Sequence, residues 1–160
     1  IWLVMAFARL KNTERTWELF SMINPVNHGD NAEKISIYKA EPYVVAADVY
    51  SVPLHKGRAG WTWYTGSAGW MYRLIIESIL GLKKEGDKIH LDPCIPKEWK
   101  GFTIRYRYLD TNYHISFTQS AETAKERKLY VDEVEQKDSM LTLVNDHIDH
   151  RVEFQMGILS

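Results

Sequence analysis

The pattern of apolar and polar residues changes near residue 82. Before this point, apolar residues recur at helical spacing or form continuous runs, whereas after it apolar and polar residues alternate over short segments. Alternation of this kind, interrupted by turn residues, is typical of half-buried antiparallel strands. We therefore expect an α+β protein, with helices in residues 1–82 and an antiparallel, jelly-roll-like β-sandwich in residues 83–160.

Three helices are predicted in the first part of the chain. Residues 1–10 are apolar on nearly every side, which predicts the end of a buried helix. Thr13 is suited to cap a second helix over residues 14–23, because its hydroxyl accepts from a free N–H of the first turn. A third helical pattern runs over residues 65–82, and Gly81 is a suitable stop.

The segment between the last two of these helices, residues 24–64, has no clear period. Residues 43–50 are apolar enough for a strand or a buried helix, and the helical context favours a helix in their second half. Such a long connection is unusual inside a compact domain, and long loops are commonly functional.

Strands are predicted throughout the second part of the chain. Residues 84–88 predict a hairpin turn, followed by a short strand over residues 89–91. Five further strands are expected over residues 103–108, 113–118, 129–134, 140–144 and 151–156.

Composition and charge exclude several classes of partner. The 160 residues carry a formal net charge of −1, so no global field favours nucleic acid or an anionic membrane. The single cysteine, Cys94, cannot form an internal disulfide, and its apolar neighbours predict a buried thiol. The six histidines lack the spacing of metal ligands, and no phosphate loop or dinucleotide fingerprint is present. We expect neither a metal nor an organic cofactor.

The first ten residues also bear on the extent of the chain. They are too few to span a bilayer, and they lack the basic leader and cleavage site of a signal peptide. Since Ile1 is not a translation start, we expect the chain to be a soluble fragment cut inside a helix. The surface left uncovered predicts self-association.

Candidate chemistry is concentrated in residues 57–70. This stretch contains four glycines and three tryptophans, and it leads directly into a predicted helix. Glycines allow a ligand to approach the backbone, and aromatic faces suit sugar rings. The Thr65-Gly66-Ser67 step directs free N–H groups and hydroxyls outward, which suits an anion such as phosphate. Sugar and phosphate are therefore the predicted ligands.

Several further side chains are candidates for contact with the sugar or the anion, whereas Trp70 and Tyr72 are expected in the core. The candidate contacts are Trp61, Trp63, Tyr64, His28, His55 and Arg58.

Separated motifs resemble those of one carbohydrate-active family. Residues 38–51, 61–73 and 92–96, together with residues 23–28, occur in the order found in glycoside hydrolase family 94. This family contains the inverting β-glucoside phosphorylases. Within it, the resemblance is to the C-terminal part of cyclic β-1,2-glucan synthases and to β-1,2-oligoglucan phosphorylases, and it covers about residues 1–120.

The resemblance implies a fold, and it implies which functional residues lie in this chain and which lie upstream of it. Residues 1–82 would hold the last helices and the active-site loop of an (α/α)₆ barrel, followed by the C-terminal sandwich. A Thr-Gly pair of the family binds the co-substrate, inorganic phosphate, and the matching residues here are Thr65 and Gly66. The general acid, an aspartate, would lie upstream of Ile1, as would a phosphate-binding histidine and an arginine. We therefore expect no catalytic residue in this chain and no activity of the fragment alone.

No carboxylate of this chain matches the family's general acid, although Glu41 and Asp48 lie near the motifs. Their side chains are expected to cap a helix or to form salt bridges.

Three functions are consistent with these observations. The first is a fragment of a cyclic β-1,2-glucan synthase whose phosphorylase-type domain cleaves β-glucan with phosphate, working with the rest of the parent chain. The second is a fragment of a soluble cellobiose or oligosaccharide phosphorylase, and the third is a non-catalytic carbohydrate-binding or structural module. Transmembrane and glycosyltransferase regions upstream would identify the first. The parent is expected in the cytoplasm or on the cytoplasmic side of the inner membrane.

Overall fold

The computed structural model describes residues 1–120 and 127–158. In these residues, helices precede strands, as the apolar pattern predicts. The helices are α1 (Trp2–Arg9), α2 (Thr13–Ile23), α3 (Ala32–Tyr38) and α4 (Thr65–Arg73), with short 3₁₀ turns at Pro25–His28 and Pro53–His55.

Helices α1 and α2 form a hairpin, but the cap of α2 differs from the prediction. The side chain of Asn12 accepts a hydrogen bond from the backbone N–H of Arg15 at 3.0 Å, so Asn12 is the N-cap and Thr13 is the first helical residue. The prediction of Thr13 as the cap was wrong by one position, because asparagine satisfies the same free N–H groups equally well.

The long connection contains a helix that its sequence pattern does not reveal. The side chain of Asn31 caps helix α3 by accepting from the N–H of Lys34 at 3.0 Å. Residues 32–37 are all exposed, so the helix shows little apolar periodicity. The expected helix in the second half of residues 43–50 is wrong, because this segment pairs instead with a backbone segment later in the chain.

The predicted helix over residues 65–82 is continuous but not uniform. Helix α4 passes at Leu74 into a π-helical segment, Leu74–Ile79, and Gly81 follows with φ +70°. A Cβ atom at Gly81 would lie 2.2 Å from the carbonyl carbon of Asp92, so the chain passes too closely here for any side chain.

Eight strands form two sheets in the described residues. They are β1 (Leu82–Glu85), β2 (Lys88–Leu91), β3 (Gly101–Tyr108), β4 (Thr111–Ser120), β5 (Lys128–Val131), β6 (Val134–Glu135), β7 (Met140–Thr142) and β8 (His150–Gly157). The smaller sheet has the order β1-β2-β7, and the larger has the order β3-β4-β8-β5-β6. Neighbouring strands run antiparallel except β4 and β8, which run parallel with Ile115 opposite Val152.

The inner faces of the two sheets share one apolar core, which makes the second part a sandwich. Ile89 and Leu141 come from the smaller sheet, and Ile115 and Phe154 from the larger, each at most 1% exposed. A second core lies among the helices and includes Val4, Phe20, Met71, Leu74 and Ile95. Phe102 packs against both cores and so joins the helices to the sandwich.

Cys94 is a buried thiol, as predicted. Its Sγ donates a weak hydrogen bond to the hydroxyl of Thr16 at 3.8 Å, and burial raises the pKa of the thiol. Among the helices of the described residues, none has both the length and the apolar character needed to cross a bilayer.

Candidate functional site

The glycine- and tryptophan-rich stretch is held by a ribbon of backbone pairs. The N–H of Ala47 donates to the carbonyl of Trp61 at 2.8 Å, and the N–H of Tyr50 donates to the carbonyl of Arg58 at 2.9 Å. Residues 47–50 and 57–61 thus run side by side. Helix α4 begins shortly after one end of this ribbon, and the other end closes in the turn Pro53–His55.

The first turn of helix α4 presents Thr65 and Gly66 to solvent. Both residues are exposed, and in the described structure no side chain caps this end of the helix. The first intrahelical bond runs from the N–H of Ala68 to the carbonyl of Tyr64 at 3.2 Å. The N–H groups of the preceding residues therefore point out of the turn, at the positive end of the helix dipole. This arrangement provides donors and positive potential for an anion.

The aromatic residues before the helix also face solvent. Trp61 and Trp63 are exposed at 71% and 66%, and the Tyr64 ring lies 6.1 Å from that of Trp61. Trp63 adopts φ 61°, a left-handed conformation that is strained for a large side chain. Its ring contacts that of Tyr43 at 6.2 Å, edge to face. Exposed rings held in this way offer apolar faces to a ligand.

Two clefts meet at the start of helix α4. The smaller, of about 260 Å³, is lined by Tyr43, Trp63, Tyr64 and Thr65, among others. The larger, of about 620 Å³, is lined by Gly66 together with Trp2 and others, and Tyr64 lines both clefts. Each of the two predicted phosphate-binding residues therefore lines one of these clefts.

The remaining predicted contacts are not brought to Thr65. His28 is held by the fold: its Nε2 lies 2.8 Å from the carbonyl oxygen of Met22, and its ring stacks on Tyr38 at 4.7 Å. His55 and Arg58 are exposed near the turn of the ribbon, at the end away from helix α4.

Trp70 and Tyr72 do not lie in the core as expected. They are exposed at 37% and 67%, whereas Met71 between them is buried. The helix turns Met71 toward the helical core and leaves its neighbours at the surface, where Trp70 contacts Trp2 at 5.3 Å.

Two acids in the connecting segment have a different role from the one predicted. Neither Glu41 nor Asp48 caps a helix. Instead, Asp48 Oδ1 accepts from the backbone N–H of Trp61 at 3.1 Å, and Glu41 Oε1 accepts from the Trp63 indole N–H at 3.2 Å. Their partners lie 13 and 22 residues away, so local spacing alone does not reveal them.

A second polar cluster, also absent from the predictions, lies at one end of the sandwich. His150 Nδ1 lies 2.6 Å from Asp132 Oδ2, and its Nε2 lies 3.1 Å from Asp146 Oδ2. The hydrogen bond with Asp132 is the main cause that raises the pKa of His150. Residues 1–120 and 127–158 contain no group of three or more His, Cys, Asp or Glu side chains arranged to hold a metal ion.

Two family models match the chain, and they meet at residue 81. The catalytic domain of the glycosyl hydrolase 94 superfamily matches residues 1–81. The C-terminal domain of glycosyl hydrolase family 65 matches residues 82–128.

The chain is also similar to curated proteins. Cyclic beta-(1,2)-glucan synthase NdvB of Rhizobium meliloti is 44% identical over 124 residues, which are 78% of this chain and 4% of that protein. N,N'-diacetylchitobiose phosphorylase of Vibrio furnissii is 34% identical over 72% of this chain and 14% of its own length. For 1,2-beta-oligoglucan phosphorylase of Listeria innocua, the identity is 26% over 72% of this chain and 12% of that protein.

This chain therefore spans only a small part of the length of the relatives it matches. The start of helix α4, with Thr65 and Gly66, lies inside the region that the catalytic-domain model covers. Because that model matches residues 1–81 of 160, the chain belongs to the glycosyl hydrolase 94 superfamily.

Proposed function

We propose that this chain supplies the phosphate-binding loop of a longer enzyme that cleaves β-1,2-glucan with inorganic phosphate and inverts the anomeric configuration. The observation that carries the proposal is the uncapped start of helix α4, with Thr65 and Gly66 exposed, inside the residues that match the catalytic domain. In the longer enzyme, residues 1–82 complete an (α/α)₆ barrel and residues 83–160 form its C-terminal sandwich.

The first turn of α4 would bind phosphate by charge-assisted hydrogen bonds. The hydroxyl of Thr65 and the N–H of Gly66 donate to phosphate oxygens, and the helix dipole adds favourable potential. The bound phosphate takes the place that water occupies in an inverting hydrolase, on the face of the sugar opposite the scissile bond. Binding at this position holds the attacking phosphate oxygen in line with the anomeric carbon, so the reaction does not depend on a chance encounter of the two in solution.

The reaction needs one further group, a general acid. A phosphate oxygen forms a bond to the anomeric carbon while the bond to the glycosidic oxygen breaks, and the acid gives its proton to that leaving oxygen. Glu41 and Asp48, two of the acids of the connecting segment, accept hydrogen bonds from Trp63 and Trp61. The resemblance to glycoside hydrolase family 94 implies that the acid is an aspartate upstream of this chain, and we therefore expect the chain alone to be inactive.

The sugar would lie against the aromatic residues before the helix. Trp61, Trp63 and Tyr64 present exposed faces, and the cleft of about 260 Å³ beside Trp63 reaches Thr65. The similarity to the Rhizobium meliloti synthase favours β-1,2-linked glucose as the substrate, with an oligosaccharide as the alternative. We expect the longer enzyme in the cytoplasm or on the cytoplasmic side of the inner membrane.

The test is the phosphate dependence of cleavage by the longer enzyme. β-1,2-Glucan, cellobiose and N,N'-diacetylchitobiose are each incubated with and without inorganic phosphate, and sugar 1-phosphate is measured. We expect glucose 1-phosphate from β-1,2-glucan only when phosphate is present. Release from one of the disaccharides instead would identify an oligosaccharide phosphorylase. No phosphate-dependent cleavage of any substrate, combined with sugar binding by the isolated chain, would identify a binding module.

A further inference from the structure

We infer that Asp48 is a positioning residue for the phosphate-binding loop, acting through Gly60 and Trp61 on the start of helix α4. This inference rests on the proposed function, because it concerns the same loop. Asp48 binds the loop twice: its carbonyl accepts from the N–H of Gly60 at 2.9 Å, and its carboxylate accepts from the N–H of Trp61 at 3.1 Å. One residue therefore fixes two successive peptide units.

The contact between Asp48 and Gly60 leaves no space for a side chain. A Cβ atom at Gly60 would lie 2.3 Å from Asp48 Oδ1 and 2.4 Å from Oδ2, far inside van der Waals contact. Gly60 is not among the glycines with positive φ, so a side chain at this position is restricted by the Asp48 carboxylate and not by the backbone conformation. The carboxylate thus lies directly on the backbone of the loop.

Near the helix, the backbone pair between the N–H of Ala47 and the carbonyl of Trp61 also holds the loop. Trp61, Trp63 and Tyr64 are all exposed, so the packing of their side chains holds the loop only weakly. Trp63 is in the left-handed region, a conformation that persists only where surrounding contacts impose it. Glu41 provides a second attachment through the Trp63 indole, so the two carboxylates hold the loop at positions 61 and 63.

The consequence is a defined place for the donors of Thr65 and Gly66. They follow Trp61 by only four and five residues, so a shift of the loop at Trp61 moves the first turn of α4. Phosphate has to meet the sugar in line, and small misplacements reduce such reactions strongly. Asp48 itself touches neither reactant in this assignment.

The test is a double-mutant cycle in the longer enzyme with steady-state kinetics. Asp48→Ala is expected to raise the KM for phosphate by about 10- to 100-fold, because the donors lose their alignment. The KM for glucan should rise less than the KM for phosphate, because Glu41 still holds Trp63 among the aromatic residues that face the sugar. Asp48→Asn, which keeps an acceptor oxygen, should restore most of the affinity for phosphate. Gly60→Ala should resemble Asp48→Ala, since the new methyl group displaces the carboxylate.

The double variant provides the sharpest outcome. Once Asp48 is alanine, the methyl group at residue 60 has space, so Gly60→Ala should add little to the effect of Asp48→Ala. The matched control is Asp87→Ala, which makes the same change in the β1–β2 turn. It should leave the KM for phosphate unchanged.

Two results overturn the inference, and they are distinguishable. If the unsubstituted enzyme depends on phosphate but Asp48→Ala leaves the KM for phosphate unchanged, or the two substitutions are additive, Asp48 does not position the loop. If the unsubstituted enzyme shows no dependence on phosphate, the proposed function fails and this inference fails with it.

Discussion

His150 Nδ1 lies 2.6 Å from Asp132 Oδ2, and this contact joins strand β8 to the turn between β5 and β6. The side chain of His150 is only 13% exposed, and its ring stacks on Tyr113 at 5.0 Å. Asp146 lies at the other ring nitrogen, at 3.1 Å. Because both nitrogens face carboxylates, the doubly protonated imidazolium is the form that satisfies both contacts.

This cluster predicts a loss of stability at alkaline pH. The hydrogen bond with Asp132 raises the pKa of His150 above 6.5, so its contribution is complete below pH 6.5 and is lost as the pH rises through the higher folded value. The hydrogen bond from His150 lowers the pKa of Asp132 below 3.8, so the carboxylate contributes fully above pH 3.8 and loses its effect in stronger acid. The free energy of unfolding, measured with urea between pH 5 and pH 9, should therefore decrease toward the alkaline end of this range.

In the variant His150→Gln, the free energy of unfolding should depend less on pH in this alkaline range. His55→Gln, which changes an exposed histidine in the turn that closes the ribbon, should leave the pH dependence intact. An NMR titration should give His150 a midpoint above 6.5. A stability that does not change between pH 6 and pH 9 in the unsubstituted chain would contradict this account of the cluster.

The close approach at Gly81 predicts a large difference between two glycines with similar backbone angles. Gly81 has φ +70° and no space for a Cβ, whereas Gly86 has φ +64° and open space around it. Gly86→Ala should cost about 1 kcal/mol, from the backbone conformation alone. Gly81→Ala should cost at least about 2 kcal/mol more, because Asp92 and Pro93 have to move. Equal free energies of unfolding for the two variants would show that the contact is not restrictive.

The exposed apolar side chains of helix α1 predict self-association of this chain. Trp2 and Leu3 are exposed at 67% and 61%, and they border the cleft of about 620 Å³. The double variant Trp2→Ser/Leu3→Ser should shift the distribution toward monomer in sedimentation velocity. Leu54→Ser, at a residue 92% exposed in the turn that closes the ribbon, is the matched control and should shift it less. A monomeric unsubstituted chain at high concentration would refute this expectation.

The chain alone should not cleave glucan. The proposed function assigns the general acid to the longer enzyme, upstream of these residues, and the carboxylates of Glu41 and Asp48 hold the loop by accepting hydrogen bonds from Trp63 and Trp61. Incubation of the chain with β-1,2-glucan and phosphate should give no glucose 1-phosphate above the rate without protein. Release at a rate comparable to that of the longer enzyme would place the general acid inside these residues.

Local sequence patterns predicted those helices and strands whose characteristic residues all lie within a short stretch of the chain. The alternation over residues 103–108 and 113–118 gave strands β3 and β4, and the turn residues at 84–88 gave the β1–β2 hairpin. The start of helix α4 at Thr65 was likewise evident from its sequence.

Contacts between residues far apart in the sequence were not predicted, because no short stretch of the chain contains both partners. The ribbon between residues 47–50 and 57–61, the carboxylate of Asp48 on Trp61, and the pairing of His150 with Asp132 all depend on the tertiary fold. The parallel register of β4 and β8 is of the same kind, since each strand alone has the pattern of an ordinary half-buried strand. The candidate site was thus predictable in its residues but not in the contacts that hold it.

The most direct measurement of the central claim is the KM for inorganic phosphate of the longer enzyme with Thr65→Ala, measured with β-1,2-glucan as substrate. Loss of one hydrogen bond to a charged group should raise this KM by about 10- to 100-fold while the KM for glucan changes little. Thr103→Ala, the same change at an exposed threonine of strand β3, should have no effect. An unchanged KM for phosphate in Thr65→Ala would contradict the assignment of the phosphate site to the start of helix α4.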